Sequence, residues 1–147
     1  MGLAITAVRF QPNPNWHRSF SIKVWLVYGY YSPEATALFR EVLRHDPDNP
    51  MLHWGLALAL GPIPNSRFLA FPDDPKAEGR KAIDAALAHA SKGTGVEQSL
   101  IETLSVRYDS ERYIDRDLRD AQYIAAARKT HERYPKDIER RVCVWTL

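Results

Sequence analysis

Apolar residues recur at helical spacing along most of the chain, and the breaks between the runs are sharp. Ala35, Leu38, Phe39, Val42 and Leu43 fall at i, i+3, i+4 and i+7, the stripe of an amphipathic helix over 33–45. Ser32 suits its N-cap, Pro33 its first turn, and Glu34 its positive dipole end. Arg44 and His45 suit the last turn, and Pro47 and Pro50 forbid continuation. Residues 51–60, "MLHWGLALAL", are apolar almost all round, which predicts a helix buried on more than one side. Residues 61–75 carry Pro62, Pro64, Pro72 and Pro75 and read as an irregular loop, long enough to suggest a lid or insertion. Ile83, Ala86, Leu87 and Ala90 then line a helix between Lys76 and Ser91, which "KGTG" at 92–95 breaks. Leu100, Ile101, Leu104 and Tyr108 mark another helix. Ile114, Leu118, Ala121, Ala125 and Arg128 carry the period on to Tyr134, where Pro135 stops it, and a last short helix is expected in "KDIERRVCVW".

The N-terminal part is less regular. "QPNPN" at 11–15 ends an arm over residues 1–15. The next segment is rich in aromatics, and "FSIKVWLVYGYY" taken alone has strand character. Its neighbours are helices, so a lone strand would lack a partner for its backbone. The expectation is therefore an all-α domain over 16–147, about seven helices in consecutive antiparallel pairs. Its core is expected to include Ala35, Leu38, Phe39, Val42, Leu56, Leu60, Ile83, Leu87, Leu104 and Leu118.

Bulk properties narrow the function classes. The 147 residues suit one domain, and 45% hydrophobic with 26% charged residues is ordinary for a soluble globular chain. A net charge of +2 gives no strong pull toward nucleic acid or anionic lipid. Arg128, Lys129, Arg133, Lys136, Arg140 and Arg141 gather near the C-terminus, but Glu132, Asp137 and Glu139 are interspersed, as on a solvated helix face. The single cysteine, Cys143, forbids an internal disulfide, and no apolar run is long enough to span a membrane. "MGLAITAVRF" lacks the basic start and cleavage site of a signal peptide, although Gly2 and Thr6 match the loose acylation pattern. A cytoplasmic protein is expected.

Candidate chemistry is sparse. His45, Asp46 and Asp48 lie at a helix end and a proline turn, where an Asp ordinarily caps backbone N–H groups, and metal-ligand spacing is missing. His53 beside Trp54 reads as a packing or interfacial histidine. His17, His89 and His131 sit on separate segments without an acidic partner at helical spacing. Arg140 and Arg141 could lower the pKa of Cys143, but no His or Asn supports a nucleophile there. Phosphate-cradling loops and nucleophile elbows are absent, so no cofactor, metal or catalytic residue is assigned.

Short helix pairs call for a test of periodicity. Ala35, Phe39 and Pro47 match the spacing of the second helix of the tetratricopeptide repeat, and "DPDN" resembles its junction. In that register the packing positions of the next helix fall on His53, Leu56, Ala57 and Leu60; His53 stands where the repeat usually has a Trp, and Trp54 is displaced by one. "VWLVYGYYSPEATALFREVLRHDPDNPMLHWGLALALGP" further resembles the opening of a poorly characterised family of longer tetratricopeptide-repeat proteins. The resemblance covers roughly 16–138, with two departures: Ser32 replaces the family's turn His, and Ile63 its Asn after Gly-Pro. Family members carry further repeats, so the chain is expected to be a truncated relative. The resemblance implies a short solenoid whose concave face would present Met51, Trp54, Leu58 and Gly61, with His53 beside them. It offers no Lys, Arg or Asn there to clamp a peptide carboxylate. The function implied is a protein or peptide interaction module or scaffold. The alternative is an enzyme or accessory protein of a biosynthetic pathway, with a small-molecule pocket under the 61–75 loop. Self-assembly is a further option.

Overall fold

A computed structural model describes residues 32–61, 76–109, 111–112 and 115–136. These form five α-helices and one 3-10 turn: α1 (Ser32–Leu43), α2 (Pro50–Leu60), α3 (Lys76–Ala88), the turn Ala90–Lys92, α4 (Gly95–Tyr108) and α5 (Arg116–Arg133). No strand occurs among the described residues, as the helical periodicities require. The 1–15 arm, the aromatic segment to Tyr31, most of the 61–75 loop and the expected C-terminal helix lie outside the described residues.

Local sequence sets the boundaries. Asn49 caps α2: its Oδ1 accepts from the N–H groups of Met51 at 3.1 Å and Leu52 at 3.3 Å, and its amide nitrogen donates to Asp46 Oδ2 at 2.9 Å. In "DPDN", then, it is the Asn that caps, and Asp46 orients it. Thr94 and Glu97 form a reciprocal capping box at the start of α4, which explains why "KGTG" both ends one helix and begins the next. Asp115 Oδ1 accepts from Leu118 N–H at 2.9 Å and starts α5.

Each helix packs on its chain neighbour, and α2 also touches α4. The contacts fix direction. Trp54 and Ala57 of α2 meet Leu100 and Tyr108 of α4 in the same order, so these helices run parallel. Thr103 and Arg107 of α4 meet Thr130 and Tyr123 of α5 in reverse order, so that pair is antiparallel. The core lies between α1, α2, α3 and α4. Its largest wholly buried side chains are Phe39, Ile83 and Ile101, from α1, α3 and α4. The Phe39 ring lies against Gly55, where a Cβ would overlap it, so α1 and α2 approach closely at a residue that has no side chain.

Of the expected core, Ala35, Phe39, Leu56, Ile83 and Leu104 are buried, and Val42 and Leu60 pack half-buried against them. Leu38, Leu87 and Leu118 are corrections, exposed at 40%, 41% and 49%. In α1 and α3 the buried face runs through Ala35 and Phe39 and through Ile83 and Ala86. Leu38 and Leu87 each stand one residue off it, roughly 100° round the helix. α5 docks through Tyr123 and Thr130, and Leu118 lies on another face.

Candidate functional site

The candidate residues on α2 separate by burial. Trp54 points into the core, 4% exposed, and its Nε1–H donates to Leu100 O at 3.1 Å. Met51 is equally buried, and Leu58 packs half-buried against the same cluster. A side chain enclosed in this way braces neighbouring helices and leaves little area exposed. Trp54 thus faces inward and ties α2 to α4.

His53 is the candidate that reaches the surface, and the fold gives it neighbours that the linear chain hides. Its Nε2 lies 2.6 Å from Pro47 O; a carbonyl can only accept, so that nitrogen donates. Its ring stacks on His89, with centroids 6.2 Å apart and an interplanar angle of 17°. His89 stands at the end of α3, with Nε2 3.8 Å from Asp48 Oδ1, and Lys92 Nζ donates to Asp48 Oδ2 at 2.7 Å. The Lys92 hydrogen bond and charge hold the Asp48 carboxyl below the usual range, helped by the nearby His89 and His53. The turn after α1 is thus tied to the turn after α3 by two histidines, a carboxylate and an ammonium. His89 and Lys92 escaped sequence reasoning because no helical spacing relates them to Asp48; the signal was the matching "L-x-H" at 43–45 and 87–89. Among the described residues no group of three or more His, Cys, Asp or Glu is placed to hold a metal ion.

The accessible stripe lies on α4. Gln98, Glu102 and Ser105, at i, i+4 and i+7, are exposed or half-exposed and border the buried face of Leu100, Ile101 and Leu104. Gln98 Nε2 donates to Gly93 O at 3.0 Å and Ser105 Oγ to Glu102 O at 2.8 Å, which leaves the Glu102 carboxylate as the stripe's charge. Such a surface offers acceptors and one negative charge, suited to a basic or hydrogen-bonding segment.

One buried and one part-buried polar contact hold the helices here. The Tyr108 hydroxyl donates to Ala57 O at 2.5 Å, one of the last four carbonyls of α2, which have no partner within the helix. Burial pushes the Tyr108 phenol above its usual value, against a smaller opposing pull from Arg107. Arg80 in turn donates to the Tyr108 carbonyl at the end of α4. No helix among the described residues is long and apolar enough to cross a membrane. Comparison with protein-family models, with curated proteins and with solved structures returns no match.

Proposed function

We propose that the chain is a cytoplasmic, tetratricopeptide-like interaction module that binds a protein or peptide segment and has no catalysis of its own. The observation that carries this reading is the stacking of equivalent elements. α1 and α3 open at Ser32 and Lys76, 44 residues apart. At that same interval Ala35, Phe39 and His45 correspond to Gly79, Ile83 and His89, and Leu56, Ala57 and Leu60 correspond to Leu100, Ile101 and Leu104. Asp48 corresponds to Lys92, and these two side chains bond to one another. Successive units of a solenoid bring like positions together in this way. The interval exceeds the 34 residues of the tetratricopeptide signature because the 61–75 connection lies within it.

In this register the concave positions of α2, Met51, Trp54, Leu58 and Gly61, correspond to Gly95, Gln98, Glu102 and Ser105 on α4. With Met51 and Trp54 buried, the exposed positions on α4 are the ones proposed for binding. A photo-reactive amino acid at Glu102 tests the assignment, with the same group at the exposed Lys81 of α3 as control. Discrete adducts in native lysate at 102 and not at 81 are the expected result. Equal labelling at both, or none at 102, would overturn it.

A further inference from the structure

The described helices are held by two different kinds of seam. Among the described residues every fully buried apolar residue of the core belongs to α1, α2, α3 or α4; α5 reaches it only with the half-buried Tyr123, and Tyr134 follows just past the helix. The one fully buried residue of α5 is Thr130, and the substantial packing of α5 is against α4. The face of α4 that meets it is polar. Thr103 Oγ1 lies 2.9 Å from Thr130 Oγ1 and also donates to Ser99 O at 2.7 Å. One turn on, the Arg107 guanidinium lies 4.1 Å from the centre of the Tyr123 ring. At the other end Tyr134, just past α5, sits so close to Gly95 that a Cβ there would crowd its hydroxyl. Gly95, Ser99, Thr103 and Arg107 recur every fourth residue and form one stripe.

That stripe is costly to bury and gains little from burial. Arg107 is 9% exposed, and its Nε has no hydrogen-bond partner. A cation–π contact offsets only part of the cost of desolvating a guanidinium. Apolar burial along α5 is partial throughout: Tyr123, Ile124, Ala126 and Ala127 are half-buried, as is Tyr134 just past it. The seams among α2, α3 and α4 instead bury Trp54, Leu56, Ile83, Leu100, Ile101 and Leu104. Local opening free energies follow buried apolar contact, so the two seams should not open together.

We infer that α5 is a separate opening unit: it leaves α4 while α2, α3 and α4 stay packed, and its departure uncovers a polar, cationic stripe of Ser99, Thr103 and Arg107. The inference does not depend on the binding surface proposed above.

Native-state hydrogen exchange of the full chain, read by peptide mass spectrometry at low denaturant, tests this. Amides of α5 are expected to exchange at least about tenfold faster than those of α2 and α4, by a route insensitive to denaturant. Tyr123→Ala should speed α5 by a further several-fold and leave α2 unchanged; Thr130→Val should act in the same direction more weakly. Equal wild-type rates in α5 and α2 with the same denaturant dependence would overturn the inference. So would a Tyr123→Ala variant that speeds all helices by one factor, or one that speeds none.

Discussion

Phe39 and Gly55 are a matched pair, and each should be intolerant of change in its own way. Phe39 is wholly buried, so Phe39→Ala opens a cavity between α1 and α2 and should cost about 3–5 kcal/mol in urea melts. A loss under about 1 kcal/mol would mean that the ring is not where α1 and α2 close. Gly55→Ala improves helix propensity by up to about 1 kcal/mol. It also drives a methyl into the Phe39 ring, and overpacking of that kind costs roughly 1–3 kcal/mol. Net destabilisation is therefore expected, and a stabilised variant would show that the ring moves aside freely. Trp54 belongs to the same class. Trp54→Ala should unfold the chain more easily by about 3–5 kcal/mol, through lost packing and a lost bond to Leu100 O. Weakened binding with stability unchanged would return Trp54 to the surface.

At the scale of elements, period and punctuation were legible, and phase was not. Pro47, the "KGTG" break and Pro135 mark ends because proline and glycine act locally, whatever packs around them. Leu38, Leu87 and Leu118 were misplaced because a leucine at helical spacing says that a face exists and not where its edge falls. That edge depends on the neighbouring helix. The candidate site was less legible still, since Asp48, His53, His89 and Lys92 meet only through tertiary stacking. Helix ends illustrate the same limit. The bond from Tyr108 to Ala57 O joins two helices that are not consecutive, and no sequence rule gives it. Its consequence is measurable at high pH. Burial raises the Tyr108 phenol above its ordinary value, so the folded form keeps its proton where the unfolded chain loses it. The stabilisation is present below about pH 10 and declines as pH rises past it. Tyr108→Phe should cost about 0.5–1.5 kcal/mol at neutral pH, and its deficit should shrink above about pH 10. A deficit constant to pH 11 would separate the hydroxyl bond from any ionisation effect.

At the scale of the molecule, two ion pairs join segments that lie far apart in the sequence. Lys92 pairs with Asp48 across the two turns, and Arg40 of α1 pairs with Glu78 at the start of α3. Each carboxyl is held below its usual range, mainly by the hydrogen bond from its partner. In the folded chain both therefore bind protons less readily than in the unfolded chain, and folding stability from them is present above about pH 4. It is lost as pH falls through the lowered folded values, when the carboxylates take up protons. All four side chains are substantially exposed, so the contribution is small and screened by salt. A double variant, Arg40→Met with Lys92→Met, keeps the aliphatic stems and removes the cations. It should be slightly less stable than the wild type at pH 7 in low salt, with the gap closing below about pH 4 and in about 1 M salt. Urea melts at pH 7 and pH 3, each at low and high salt, read this directly. A gap that persists at pH 3 would mean that Arg40 and Lys92 stabilise the fold through something other than their ionised carboxylate partners, and the two ion pairs would then not be what links these segments.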